Sequence, residues 1–280
     1  MSLAELLAPE VSTAIALALY ALAGAVGLVG MLARRAPLRR AGCWLAVGAF
    51  AWQTLLLALG AHAGHPEGLT LGAYLQMLAW FVLLCALGLW ARLRQEAPLI
   101  FAALLGLILF LMSTPWLDQA VPLPASMHGP FFALHIGALF LSLGLLALAF
   151  AAGALFLFLE RRIKSKQRMK GIWQDMPALA ILDKINAICA LTAFPLYTLG
   201  IVSGLFWARP VFGSTLSGDP KEVVSLLVWL LLAVLFHNRH ASGWKGRKPA
   251  RLAVFIFLLS VFSLVVVNVF METQHAFLRG

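Results

Sequence analysis

Residues 130–170 read PFFALHIGALFLSLGLLALAFAAGALFLFLERRIKSKQRMK, and this stretch decides the fold. From Phe131 to Leu159 no charged residue interrupts an apolar run. Charges then crowd in at Glu160, Arg161, Arg162, Lys164, Lys166, Arg168 and Lys170. About 20 apolar helical residues cross the ~30 Å hydrocarbon core of a bilayer. A run this long, stopped by a basic cluster, reads as a membrane-spanning helix that leaves the bilayer on a definite side.

Working outward, the same criterion finds Val11–Leu32, Cys43–Gly60, Leu71–Ala91 and Leu99–Trp116 before this span. It finds Ala187–Trp207, Val223–His237 and Leu252–Glu272 after it. The short Val223–His237 span gains a first turn from Asp219 to Glu222. The fold predicted is an all-α, polytopic membrane helical bundle with about eight transmembrane helices. It forms a single integral membrane domain over residues 1–280, with no loop that reads as a linker. Composition agrees: 62% of residues are hydrophobic and 11% charged, against roughly 25% charged in a soluble domain. The first span is not read as a cleavable signal peptide, because Glu5 and Glu10 precede it without Lys or Arg and no Ala-x-Ala-like exit follows.

Alternating the loops sorts the charges. One side receives Arg34, Arg35, Arg39 and Arg40, then Arg92 and Arg94. It also receives Arg161, Arg162, Lys164, Lys166, Arg168, Lys170 and Lys184, then Arg239, Lys245, Arg247, Lys248 and Arg251. Of the 21 basic residues, only Arg209, Lys221 and Arg279 fall opposite. The positive-inside rule makes the rich side cytoplasmic and places both termini outside. The formal net charge of +10 is therefore mostly topology, and no nucleic-acid partner is expected. Trp44 and Trp90 fall at inner boundaries, Trp116 and Trp207 at outer ones, as an interfacial belt requires; mid-span Trp52, Trp80 and Trp229 read as packing residues. The inner segment Gly171–Asn186 mixes Trp173, Met176, Leu179, Ile181, Leu182 and Ile185 with polar residues, which predicts an amphipathic stretch lying on the inner surface.

Several chemistries lack their motifs. Cys43, Cys85 and Cys189 form no Cys-x-x-Cys pair and read as small packing residues. No Walker loop, dinucleotide fingerprint or zinc-protease helix is present. The spans hold no carboxylate near mid-depth, which weighs against a proton-coupled carrier; a small-molecule permease rests only on the multi-span architecture.

Seven histidines carry most of the remaining chemistry. His62, His65 and His128 fall in outer loops, and His135 lies roughly 6 Å inside the outer end of its span at 1.5 Å per residue. His275 follows the outer end of the last span, while His237 and His240 stand at an inner end. Two imidazoles at similar depth on different helices can clamp a haem iron from opposite faces. The plainer account of interfacial histidines is an amphipathic side chain with a wet tip, and for His237 a cation at a helix C-terminus. In the loop 212–222, Asp219 is a suitable N-cap, Pro220 a suitable first helical residue, and Glu222 completes a capping box. That helix start also points its positive end outward, where an anion such as a haem propionate could sit.

The run Asp219-Pro220-Lys221-Glu222, followed by Trp229, His237-Asn238-Arg239 and Gly243-Trp244-Lys245-Gly246-Arg247, resembles the carboxy-terminal half of the CcsA/CcmC cytochrome c assembly proteins. His135, opening a long span that ends Leu159-Glu160-Arg161-Arg162, resembles the HemX and YpjD branch of that superfamily. The resemblance covers roughly residues 70–275. It implies a haem-handling protein of cytochrome c biogenesis in the bacterial cytoplasmic (inner) membrane, binding b-type haem non-covalently. His135 and His275 would be the outer axial ligands, the loop containing Phe212 and Asp219 the haem cover, and His237 part of an inner haem site. The implied partners are a CcsB-like membrane protein and apocytochrome c. At most the chain would be the haem-presenting subunit of a cytochrome c synthase, since no independent catalytic motif is present. The family loop runs approximately Trp-Gly-x-x-Trp-x-Trp-Asp, where this chain has Phe212, Gly213, Leu216, Gly218 and Asp219. Loss of the tryptophans opens a second reading: a HemX-like membrane regulator of a haem-biosynthesis enzyme at the cytoplasmic side, or an accessory subunit of another membrane complex, without haem-delivery activity.

Overall fold

The computed structural model describes residues 8–62, 69–116, 120–121, 130–166, 171–174, 176–212 and 218–264. Among the described residues the chain forms eight α-helices: α1 (Pro9–Leu32), α2 (Ala36–His62), α3 (Leu71–Leu93), α4 (Ala97–Ser113), α5 (Pro130–Lys164), α6 (Leu179–Phe212), α7 (Pro220–His240) and α8 (Arg247–Phe262). Two extended segments of two residues each, Leu69–Thr70 and Ala120–Val121, are the only strands among them. Helices α1 to α7 are long and apolar enough to cross a membrane. The protein is a multi-pass, all-helical membrane protein. The distal part of the expected span Leu252–Glu272 lies outside the described residues, as do both chain ends.

The chain packs as two units. The first holds α1–α4 together with residues 168–177. Helices α1 and α2 approach so closely that a Cβ on Gly42 would sit 2.6 Å from the Gly27 Cα. Without a hydrophobic drive between helices in lipid, such small-residue contacts supply the dispersion energy of association. Across the four helices runs a chain of hydrogen bonds. Tyr20 donates to Gln53 Oε1 (2.7 Å), Gln53 to the Gln76 carbonyl (2.6 Å), Gln76 to Ser113 Oγ (3.2 Å), and Ser113 to the Phe110 carbonyl (2.7 Å). The mid-span tryptophans are packing residues with a satisfied N–H: Trp52 donates to the Ser12 carbonyl and Trp80 to Thr54 Oγ1. Trp44 and Trp90 meet edge to face at 5.7 Å. Cys43 and Cys85 are buried, as is Cys189 in the second unit.

The second unit holds α5–α8. Antiparallel α5 and α6 are tied by three side-chain-to-carbonyl bonds. His135 Nδ1 meets the Gly200 carbonyl at 2.7 Å, Ser142 donates to Ala193 at 2.9 Å, and Asn186 donates to Ala149 at 2.8 Å. The partners are seven residues apart on each helix, the period at which a left-handed helix pair returns the same face to its neighbour. The expected amphipathic stretch over Gly171–Asn186 is only partly found. Gly171–Gln174 form a 3₁₀ turn, but Leu179 already starts α6. Leu182, Ile185 and Asn186 are buried there rather than laid on a surface. The alternation came from the helix entering the bundle: its apolar face packs and its Asp183 pairs with Arg239.

Replacing Gly42 by Leu forces side-chain atoms into the α1 backbone. We expect a loss of about 1–3 kcal/mol or more, read as a lower thermal midpoint in detergent. Gly48→Ala, where a Cβ meets nothing within 4 Å, should leave the midpoint within error of the parent.

Candidate functional site

His135 stands in the second turn of α5, half-buried against α6. The Gly200 carbonyl can only accept, so the 2.7 Å contact assigns the proton to Nδ1 and the lone pair of a neutral ring to Nε2. Space for the ring comes from Gly204, where a Cβ would lie 2.5 Å from Nδ1. Phe131 and Phe206 meet with tilted rings at 6.0 Å on the same end of the α5–α6 pair.

The sequence placed Asp219 at the start of α7, and it is there. Its carboxylate accepts from the Lys221 backbone N–H at 2.8 Å, with Pro220 as the first helical residue. Asp219 is buried. Lys221 lies within electrostatic range of both Asp219 and His135, so the end of this unit opposite Arg239 gathers an imidazole, a carboxylate, an ammonium and a helix N-terminus. Phe212 is the last residue of α6. His275 and His128 lie outside the described residues, as does His65.

His237 is not brought to this end. Sixteen residues separate it from Lys221 along α7, roughly 24 Å at 1.5 Å per residue. Its side chain is exposed, in line with Val223, Leu227, Leu230 and Val234 on the outward stripe of the helix. Its carbonyl accepts from Ala241 N–H and closes the last turn. The neighbouring His240 stacks on Phe236 at 5.9 Å.

The residues that do most at the His237 end were named in the sequence only as loop charges and motif positions, without a structural role. Arg239 is buried, its side chain only 3% exposed, and pairs with Asp183 at 3.1 Å. It also donates to Asn186 Oδ1 and, at 3.4 Å, to the Trp244 carbonyl. Asp183 receives the Gly246 N–H at 3.0 Å, while Arg247 and Lys164 both pair with Glu160. Gly246 (φ +75°) caps α8 in a left-handed turn that a side chain would strain. This junction joins α5, α6, α7 and α8. An acid, Asp183, carried into the first turns of an apolar span was the signal for it.

A family model described as cytochrome C assembly protein matches residues 68–275. The chain belongs to the cytochrome c assembly protein family. It is similar to the cytochrome c biogenesis protein CcsA of Chlamydomonas reinhardtii, at 29% identity over 234 residues, which cover 80% of this chain and 64% of that one. The CcsA of Guillardia theta is 26% identical over 247 residues, covering 80% of this chain and 81% of the relative. Among solved structures, the cytochrome c heme lyase CcmF aligns with a TM-score of 0.62 over 95% of this chain and 46% of that chain. At 17% identity that likeness shows a shared fold. The chain thus spans less than two thirds of the Chlamydomonas relative and under half of CcmF. Within the family match, the Gly-Trp-x-Gly-x run has a structural reading: Trp244 and Gly246 present the carbonyl and N–H that Arg239 and Asp183 bind.

Asp183→Ala removes the partner of a buried guanidinium, a change that costs about 3–5 kcal/mol when the pair is fully buried. We expect a loss near 3 kcal/mol, because Asp183 keeps some exposure. A chemical-denaturation midpoint in micelles measures it. Asp183→Asn should retain part of the stability by accepting from Gly246.

Proposed function

We propose that this protein handles haem in cytochrome c biogenesis, holding b-type haem non-covalently at the outer face through His135 and His275. The observation that carries this reading is the His135 ring, fixed through Nδ1 on the Gly200 carbonyl. A haem-ligating histidine needs a second hydrogen bond that sets its tautomer and orientation, and this one has it. The donor set also fits: a neutral imidazole held in a glycine-made recess, beside Lys221 and the N-terminus of α7, which suit a propionate. Bound haem would supply the porphyrin edge with which an apocytochrome's thiols react. The chain's own part is positioning: His135 and His275 would orient the haem, Asp219 fixes the start of α7, and Phe212 would belong to the haem cover.

His237 belongs to the inner part of the same proposal. It lies on the outward stripe of α7, so a second ligand to anything it bound would come from outside that helix. This supports a membrane partner of the CcsB kind, with apocytochrome c as client. The CcsA relatives, 80% of this chain in the longer alignments, support the assembly role over a HemX-like one. The proposed location is a bacterial cytoplasmic membrane, with the basic loops inside.

Protein purified from haem-replete cells should show a bis-histidine absorption spectrum, and His135→Ala and His275→Ala should each abolish it. A colourless parent would overturn the proposal. So would a deletion strain that keeps its c-type cytochromes while tetrapyrrole enzyme levels change. Gly204→Leu should displace the ring and reduce haem occupancy at least tenfold, with His135 itself intact; pyridine haemochrome content per mole of protein is the readout.

A further inference from the structure

On the arginine-rich side of the first unit, the turns between α1 and α2 and between α3 and α4 enclose a cleft of about 280 Å³. Its polar lining is Arg39, Arg94, Gln95 and Glu96; Met31 and Met176 are among its apolar walls. Neither the histidines nor the Arg239 junction takes part in it.

Two physical features set its ligand preference. The first is an imbalance of charge. Arg39 Nε donates to Glu96 Oε2 at 2.7 Å, which cancels the carboxylate and uses one of five guanidinium donors. Arg94 is exposed, and among the described residues its guanidinium has no hydrogen-bond or ion-pair partner. The cleft therefore keeps a full positive charge and a fork of donors suited to phosphate. The second feature is the start of α4. Glu96 stands at its N-cap but makes no capping bond, since its side chain is turned to Arg39. The positive end of α4, at Ala97, therefore adds to the cationic wall.

The walls are held in place. Only three residues, Arg94 to Glu96, connect α3 to α4, and Arg94 closes α3 in a left-handed conformation (φ +55°) with its N–H on the Trp90 carbonyl. Arg34 donates to Gln174 at 2.8 Å and ties down the segment that brings Met176 and Pro177 to the cleft.

We propose that this cleft binds a phosphate-bearing anion through Arg94 and Arg39, with Met31 and Met176 as its apolar walls. Two sources present that chemistry at a membrane surface: the headgroup of an acidic phospholipid and a soluble phosphate. The positive-inside rule puts the cleft in the cytoplasmic leaflet, where basic pockets beside membrane helices take anionic headgroups.

The test uses the full chain in nanodiscs of equal parts phosphatidylglycerol and phosphatidylcholine, with native mass spectrometry of the lipid retained after release. The parent should retain phosphatidylglycerol preferentially. Arg94→Gln should lower that preference about tenfold, the loss of one charge-assisted contact. Met176→Trp, which fills the cleft without changing charge, should lower it as well. Arg251→Gln, an exposed arginine of the second unit, should not. A parallel arm adds inorganic phosphate to lipid-free protein in neutral detergent. Arg94-dependent thermal protection there, without lipid retention, assigns the soluble source. The proposal is overturned if neither readout depends on Arg94, or if Arg251→Gln costs as much as Arg94→Gln.

Discussion

The second unit rests on a seam of three hydrogen bonds between α5 and α6. Lipid tails are as apolar as leucine, so burying leucine between two helices gains little over leaving it in the bilayer. What distinguishes one register from another is polar. His135, Ser142 and Asn186 each donate to a carbonyl of the facing helix, at intervals of seven residues along both chains. A shift of either helix by one residue would break all three at once and leave polar atoms in hydrocarbon. The seam therefore fixes where His135 stands, because that histidine is its end rung. Glycine supplies the matching room, at Gly200 for the Leu139 side chain and at Gly204 for the ring.

The far end of the same pair is closed by a different device. A buried guanidinium is costly unless its donors are used, and Arg239 uses its two terminal nitrogens on Asp183, Asn186 and the Trp244 carbonyl, with Nε alone left without a partner among the described residues. Asn186 bridges the two devices. It accepts from Arg239 while donating to Ala149, so the innermost rung of the seam is also the floor of the junction. The turn into α8 is shaped to meet it, with Gly246 giving its N–H to the same carboxylate that holds Arg239. Charge pairing and helix register thus become one constraint shared by α5, α6, α7 and α8.

Much of this architecture was legible in the sequence. Hydrophobic length and the basic loops mark the spans, and Asp219-Pro220 marks the start of α7, because bilayer thickness and capping leave direct signatures in residue type. The buried cysteines and mid-span tryptophans also followed from composition. The amphipathic reading of Gly171–Asn186 went astray for a physical reason. A helix that carries its polar face to a buried arginine has the same alternation as one that carries it to water. His135 shows the converse limit. Its depth could be read from its position in the span, but its orientation depends on a carbonyl 65 residues away. No local pattern encodes that. The heptad spacing of His135, Ser142 and Asn186 against the facing helix becomes informative only once α5 and α6 are known to pair.

The two described histidines of the functional proposal sit in opposite mechanical settings. Among the seven candidate spans, the helix bearing His135 is the most buried, with 61% of its apolar stretch inside, whereas the helix bearing His237 is the least, at 17%. A ligand on a locked ring loses little freedom on binding, so its contact energy goes largely into affinity and geometry. A ligand on an outward stripe must order a partner as well, and its hold is weaker and easier to release. The proposed passage of a cofactor from one face to the other would use that gradient. In this chain it follows from helix packing alone: one histidine is a rung of the seam and the other faces away from it.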